Sequence, residues 1–298
     1  MTLRETGENA LLARLLPTLA TGKAVVVAAG DDCAVVRTDN PRLFELLKTD
    51  CVVEDVHFDK HAAPMAVGWK AMARALSDFA AMSGRPRFAL VTLIAPANTR
   101  AEYVVALYRG LNKAARRFGV AIVGGETSNT SGPLAINVAL AGTVERERCI
   151  LRSGGRACDQ LFVTGRLGGT RDRKHLRFTP RIAESRWLTG NFRVHAMIDL
   201  SDGLGADLPR LAAASRLGFQ VDEHAVPRSR GCTIQQAFND GEDYELLFAV
   251  SPRDSERLQR TWRRRFPRLP LTRIGELKRA SRIGNREFTG GYEHFKKR

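Results

Sequence analysis

Strand-like apolar runs in this chain repeatedly meet a carboxylate. Residues 24–30 lead into Asp31-Asp32, and residues 43–47 lead through Lys48-Thr49 into Asp50. Residues 120–125 lead into Glu126, and residues 194–198 lead into Asp199, followed by Leu200-Ser201-Asp202-Gly203. Carboxylates gathered at strand ends repel one another unless cations lie between them. Hard, oxygen-seeking ions such as Mg²⁺ fill that role, commonly beside substrate phosphates. Each position alone also fits a turn, because turns favour Asp and Gly. The recurrence points instead to magnesium-dependent phosphate chemistry.

Other residues extend the pattern. Ser77-Asp78 lies near the end of a helix expected over 64–80, where a carboxylate opposes the helix dipole unless a cation compensates it or water solvates it. Ser201 or Asp202 fits the N-cap of a helix over 204–215. A helix N-terminus also holds anions, so Ser201 can bind a phosphate while Asp199 and Asp202 bind metal. The run Asp240-Gly241-Glu242-Asp243-Tyr244-Glu245 reads either as a grip on a cationic or hydrogen-bonding substrate or as a charged hairpin tip. Gly22-Lys23 stands without the upstream glycine of a P-loop, and no protein-kinase or dinucleotide fingerprint is present. The six histidines have no zinc-ligand spacing.

The elements that must carry these groups alternate. Pro64 opens the helix, with Trp69, Met72, Ala73 and Leu76 at helical spacing, and Ser83-Gly84-Arg85-Pro86 closes it. A strand over 88–94, a helix over 99–118 ended by Gly119, and strands over 120–123 and 134–144 follow. Glu145-Arg146-Glu147-Arg148 marks the end of a first domain. The second half brings strands over 160–164 and 194–198, a helix opened by Thr179-Pro180 and running to 188, the helix over 204–215, strands over 219–221 and 244–250, and a basic helix over 252–266. The pattern is mixed α/β in two unequal halves.

At 298 residues the chain is long enough for two domains. Its 44% hydrophobic and 27% charged content is globular. No apolar run reaches the roughly 20 residues that span a bilayer, and the N-terminal residues lack a signal-peptide pattern. The five cysteines form no C-x-x-C pair, which suits free thiols in the cytoplasm. The net charge of +15 is spread along the chain and densest from Arg253 to Arg268. Without any nucleic-acid-binding signature it reads as a solvated basic surface rather than a DNA or RNA site.

The same residues resemble the thiamine-monophosphate kinases of the aminoimidazole-ribonucleotide synthetase superfamily. The matches run in order: Gly7-Glu8, Gly30-Asp31-Asp32-Cys33-Ala34, Thr49-Asp50, Val56-His57-Phe58, and Leu76-Ser77-Asp78-Phe79-Ala80-Ala81-Met82. Gly124-Gly125-Glu126-Thr127, Leu151-Arg152-Ser153-Gly154-Gly155 and Val163-Thr164-Gly165 follow. Then come His175-Leu176-Arg177 with Pro180-Arg181-Ile182, Ile198-Asp199-Leu200-Ser201-Asp202-Gly203-Leu204, Gly241-Glu242-Asp243-Tyr244-Glu245-Leu246 and Gly291-Tyr292-Glu293-His294-Phe295. The resemblance implies an N-terminal α/β domain over 1–147 that dimerises through its sheet, and a C-terminal α/β domain over 148–298. It implies phosphorylation of thiamine monophosphate by ATP with several Mg²⁺ ions, in a homodimer. Carried over by position, Asp32, Thr49, Asp50, Asp78, Glu126, Asp199 and Asp202 are metal ligands. Tyr108, Gly125, Glu126, Arg152 and Ser201 match ATP-contacting positions, and His57, Glu242 and Tyr292 match substrate-contacting ones.

The chain departs from that family in places. Glu126 replaces an Asp, Lys48 a Ser and Ala75 an Asn, and Arg171-Asp172-Arg173 follows Gly168-Gly169-Thr170 where the family continues differently. Lys48 shares a strand face with Asp50 and can pair with it, reach a phosphate or turn to solvent. The alternatives are another ATP-using member of the superfamily with a different substrate, and a nucleotide-binding protein without turnover. The ending Phe295-Lys296-Lys297-Arg298 lacks the C-terminal cysteine of the hydrogenase-maturation branch.

Overall fold

The computed structural model describes residues 1–170, 174–279 and 290–295. Arg171, Asp172 and Arg173 of the basic connector, and Lys296, Lys297 and Arg298, lie outside them. Two short helices, α1 (Leu3–Thr6) and α2 (Glu8–Leu15), precede β1 (Val25–Val27), β2 (Ala34–Arg37) and β3 (Leu43–Val53). Then come α3 (Pro64–Ala81), β4 (Arg85–Pro96), α4 (Ala101–Phe118), β5 (Ala121–Thr130) and β6 (Ala135–Glu145). These strands form a six-stranded sheet in the order β1-β2-β3-β6-β4-β5, antiparallel except for β4 beside β5.

The second half contributes β7 (Gln160–Thr164), α5 (Ile182–Asn191), β8 (Val194–Asp199), α6 (Leu204–Ala214), β9 (Leu217–Val221), α7 (Ile234–Asn239), β10 (Leu246–Val250), α8 (Pro252–Arg265) and β11 (Leu271–Arg279). Its five-stranded sheet runs β8-β10-β7-β11-β9.

Strict alternation on β6 turns Ile136, Val138, Leu140 and Val144 inward, where α3 covers them. Helix α3 is buried along nearly its whole length, because the first sheet, α4 and the second half enclose it. Its crossing with α4 is close enough to demand glycines. A Cβ at Gly68 would lie 1.9 Å from the Leu107 carbonyl oxygen, and one at Gly110 would lie 2.0 Å from that of Met65. At its C-terminal end, Ala80 and Ala81 enter the apolar cluster of Phe162, Met197 and Phe248. In return Leu176, Phe178 and Tyr244 join the core of the first half. A polar staple reinforces this contact: Arg186 donates to Glu145 at 2.6 and 2.8 Å.

Several expectations needed correction. Asp50 and Glu126 are not at strand ends. β3 holds its register with β6 from Leu43 to Val53, and β5 continues beside β4 to Thr130. Polar residues interrupt the apolar pattern there without breaking the hydrogen-bond ladder. Neither Ser201 nor Asp202 caps α6. Gly203 holds that position at φ 103°, and Asp207 reaches back to accept from the Asp202 and Gly203 amides at 3.0 and 3.1 Å. Thr179 does not cap α5. Arg181 precedes that helix in a non-helical conformation, held by its bonds to Glu245 at 2.7 and 2.5 Å.

Candidate active site

Four elements converge between the two halves. The turn from β1 to β2 supplies Asp31 and Asp32, and the inner face of β3 supplies Lys48 and Asp50. The last turn of α3 supplies Ser77 and Asp78, and the end of β8 supplies Asp199. One oxygen from each of Asp32, Asp78 and Asp199 lies within 4.8 Å of the others, and all three residues are buried. Lys48 resolves its alternatives by pairing with Asp78 at 2.7 Å, rather than with Asp50. Arg152 donates to Asp32 Oδ1 at 2.6 Å, and Ser77 donates to Asp199 at 2.5 Å. Arg74 stands 3.7 Å from Asp50.

Negative charge is in excess here. Burial, with Asp32 beside it, pushes the Asp199 carboxyl up to about 7 despite the Ser77 hydroxyl, Lys48 and Arg152. Burial lifts Asp78 well above the carboxylate range, and Asp50, Asp199 and Asp32 add to it against Lys48. Burial and Asp32 raise Asp31 to about 6. Burial also opposes ionisation of Asp50, but Lys48 and Arg74 outweigh it and hold that carboxyl low. Among the described residues, Asp32 Oδ2 is buried without a partner, a costly condition in a low-dielectric site. Clustered carboxylates with a bare oxygen are the donor set a hard divalent cation uses, so the residues fit Mg²⁺.

A second region opens further along α3. His57, Glu242 and Tyr292 line one narrow cavity of about 40 Å³, together with Arg74, Ser201 and Asp202. Its wall rests on Lys70, whose side chain is fully buried. The ammonium lies 2.5 Å from the His57 carbonyl oxygen, 2.6 Å from His175 Nδ1 and 2.6 Å from Glu242 Oε1. The His57 carbonyl and the Glu242 carboxylate accept from it, and His175 Nδ1 also stands 3.1 Å from Glu242 Oε2. Although burial opposes it, His175 and Lys70 hold the Glu242 carboxyl down at about 2. Burial and then Arg74 push His57 to about 3, so its ring is neutral, with Nδ1 accepting from the Val53 amide at 3.1 Å. Tyr292 donates its amide to the Asp202 carbonyl at 2.9 Å.

Other expected site residues lie away from the carboxylate cluster. The Thr49 hydroxyl points to the opposite face of β3 and bonds Asn137 at 2.9 Å, because alternation separates it from Lys48 and Asp50. Glu126 is exposed on the edge strand beside Thr92. Gly125 precedes it at φ 156°, where a Cβ would meet the Val91 carbonyl oxygen at 1.8 Å. Tyr108 is half-buried on α4, and among the described residues no bond joins it to the cluster. Asp202 is paired with Arg210, and Ser201 accepts at its carbonyl from the Glu242 amide at 2.7 Å.

The acidic run after Asp240 divides its labour. Asp243 accepts from Lys174 at 2.8 Å and Glu245 accepts from Arg181, leaving Glu242 to face the cavity. Sequence reasoning missed Lys70 and Arg74, and named His175 only within a matched motif, without a role. A lone lysine between apolar positions of a helix that buries every face was the available signal for Lys70.

A two-domain fold with its acidic cluster between the halves defines the class. The sequence matches the AIR synthase related protein family, with the N-terminal domain over residues 30–144 and the C-terminal domain over 165–284. It is 37% identical to the thiamine-monophosphate kinase of Rhodopirellula baltica, across 90% of this chain and 89% of that one. It is 30% identical to that of Bacillus subtilis, across 96% and 98%. The solved structure of AaThiL complexed with AMPPCP and TMP superposes with a TM-score of 0.83 at 30% identity, covering 99% of both chains. The chain belongs to the thiamine-monophosphate kinase family.

Proposed function

We propose that this protein transfers the γ-phosphoryl group of ATP to the phosphate of thiamine monophosphate, giving thiamine diphosphate and ADP. The observation that carries this reading is the buried cluster of Asp32, Asp78 and Asp199, joined along α3 to a cavity lined by His57, Glu242 and Tyr292. Asp32, Asp50, Asp78 and Asp199 would hold Mg²⁺, with Asp202 and Glu126 supplying further carboxylates by resemblance. Bound Mg²⁺ neutralises phosphate charge and lets two anionic groups approach.

The chain's own residues do the remainder. Lys48 and Arg152 bring positive charge to the cluster. Ionised Glu242 suits the cationic ring of thiamine, and neutral His57 offers a hydrogen bond without adding charge. The acceptor is already an ionised phosphate, so no general base is required, and positioning dominates the rate. We assign Tyr108, Gly125, Glu126, Arg152 and Ser201 to the nucleotide on resemblance.

The reading extends to assembly. α3 covers one face of the first sheet, while Leu47, Phe88 and Leu90 are exposed on the other, and Thr49 and Glu126 share that open face. We place a second copy of the chain there, making a homodimer. The domain boundary falls between Glu147 and Arg148, before the connector to β7. Five free cysteines suit the cytoplasm, and among the described residues no helix is long and apolar enough to cross a membrane.

The test is incubation of purified protein with ATP, Mg²⁺ and thiamine monophosphate, following thiamine diphosphate and ADP. ATP consumed only with another acceptor, or bound without turnover, overturns the assignment.

A further inference from the structure

We propose that a second cavity, between α3, α4 and residues 176–179, binds a small organic anion with a flat apolar body, and that this ligand acts on the substrate pocket. The cavity has a volume of about 420 Å³, within the range of sites for small molecules. Met65, Ala66, Trp69 and Leu176 form an apolar floor, and Lys113, Arg117 and Arg177 line the rim. Lys113 Nζ lies 6.0 Å and Arg117 Cζ 5.6 Å from the centre of the Trp69 ring. These two cations are one helical turn apart on α4, so they present neighbouring charges on one face. Among the described residues, no carboxylate pairs with Lys113, Arg117 or Arg177. Three unneutralised cations around an aromatic floor select a ring bearing a carboxylate, sulfonate or phosphate group. A neutral apolar ligand would leave the cations unpaired. A polyanionic chain would not enter a cavity of this size.

The two cavities share a wall. Trp69 donates its indole proton to the Phe178 carbonyl at 2.8 Å. Phe178 stacks on Tyr244 with ring centres 3.9 Å apart, and the Tyr244 hydroxyl lies 3.3 Å from Glu242. Next along that wall, His175 contacts Lys70 and Glu242, while Leu176 and Arg177 face the anion cavity. Trp69 and Lys70 are themselves consecutive on α3. A ligand that fixes Trp69 and residues 176–179 therefore fixes the residues that orient Glu242.

The full-length protein is titrated with 8-anilinonaphthalene-1-sulfonate, with stoichiometry from calorimetry, and the kinetics are repeated at saturating probe. The proposal expects one probe per chain. In the double variant Lys113→Gln/Arg117→Gln, binding weakens at least about tenfold and the probe-free kcat is unchanged. It also expects the probe to move KM for thiamine monophosphate at least about twofold in the unmodified protein and not in the double variant. Non-saturating binding, undiminished binding in the double variant, or displacement by ATP overturns the site. Saturable binding with KM unmoved overturns the coupling. The binding arm stands whatever the substrate is; only the kinetic arm rests on the proposed activity.

Discussion

At the carboxylate cluster, Asp32, Asp50, Asp78 and Asp199 face Lys48 and Arg152, and one oxygen of Asp32 is bare. Two turns earlier on the same helix, the Lys70 ammonium is enclosed by the His57 carbonyl, the Glu242 carboxylate and the His175 ring. The first arrangement is electrostatically incomplete without a cation; the second is complete as it stands. This difference separates a region organised for what it receives from one organised to hold its shape. It also separates what substitutions should do in each place.

The largest expected effect is at the cluster. Asp50→Asn should lower phosphoryl transfer at least about a hundredfold, measured as thiamine diphosphate formed under saturating substrates. Unchanged activity would remove Asp50 from the site. The same comparison predicts that Asp199→Asn loses activity yet leaves metal-free thermal stability undiminished, since it removes a charge that burial disfavours. A clear drop in melting temperature would show that the cluster is self-sufficient after all.

Lys70→Met should behave differently. Burial already disfavours its ammonium, so its loss acts on the placement of half-buried Glu242 rather than on folding. KM for thiamine monophosphate should rise more than kcat falls, because Glu242 loses its anchor while the cluster is untouched. An unmoved KM would undo the contrast between the regions.

Titration sharpens it further. Burial pushes the Lys70 ammonium down from 10.5 to about 8, against the pull of Glu242. KM should therefore rise as the pH passes about 8. A folded-state value below the unfolded one means the unfolded chain binds more protons between these limits. Lys70 thus adds stability as the pH climbs from about 8 to 10.5 and withdraws it on the way down. Affinity and this stability contribution should move in opposite directions, and parallel movement would exclude Lys70 as the cause.

The smallest effect lies outside both regions. Glu145→Gln weakens the staple to Arg186 and should cost about 1 kcal/mol with KM unchanged. Arg186, and to a lesser degree Arg85, hold the Glu145 carboxyl down at about 2 against partial burial. Its contribution is present above about 4.5 and is lost as the pH falls through about 2. A midpoint of acid unfolding that Glu145→Gln leaves in place would refute this.

The sequence made the incomplete region readable and left the complete one obscure. Asp32, Asp78 and Asp199 announce themselves because a carboxylate after an apolar run, or at a helix C-terminus, needs a reason. Gln160–Thr164 and the core of α3 were equally open, since uninterrupted apolar residues and helical spacing have few interpretations. Asp50 and Glu126 misled because a polar residue stops an apolar pattern without stopping a ladder whose bonds run through the backbone. Thr49 turns its hydroxyl to the face opposite Asp50, because adjacent strand residues point their side chains apart. The partnership of Lys70 with His175 spans more than a hundred positions, and only the docking of the two halves creates it.

One helix carries both regions. Lys70, Arg74, Ser77 and Asp78 recur at helical spacing along α3, and eight residues of rise set about 12 Å between the first and the last. That makes α3 a ruler. A molecule whose cationic end rests near Glu242 can present its phosphate to the cluster only if its length matches that interval, so the helix discriminates by reach as well as by charge. Because α3 is packed on every side, the graduations are fixed before anything binds.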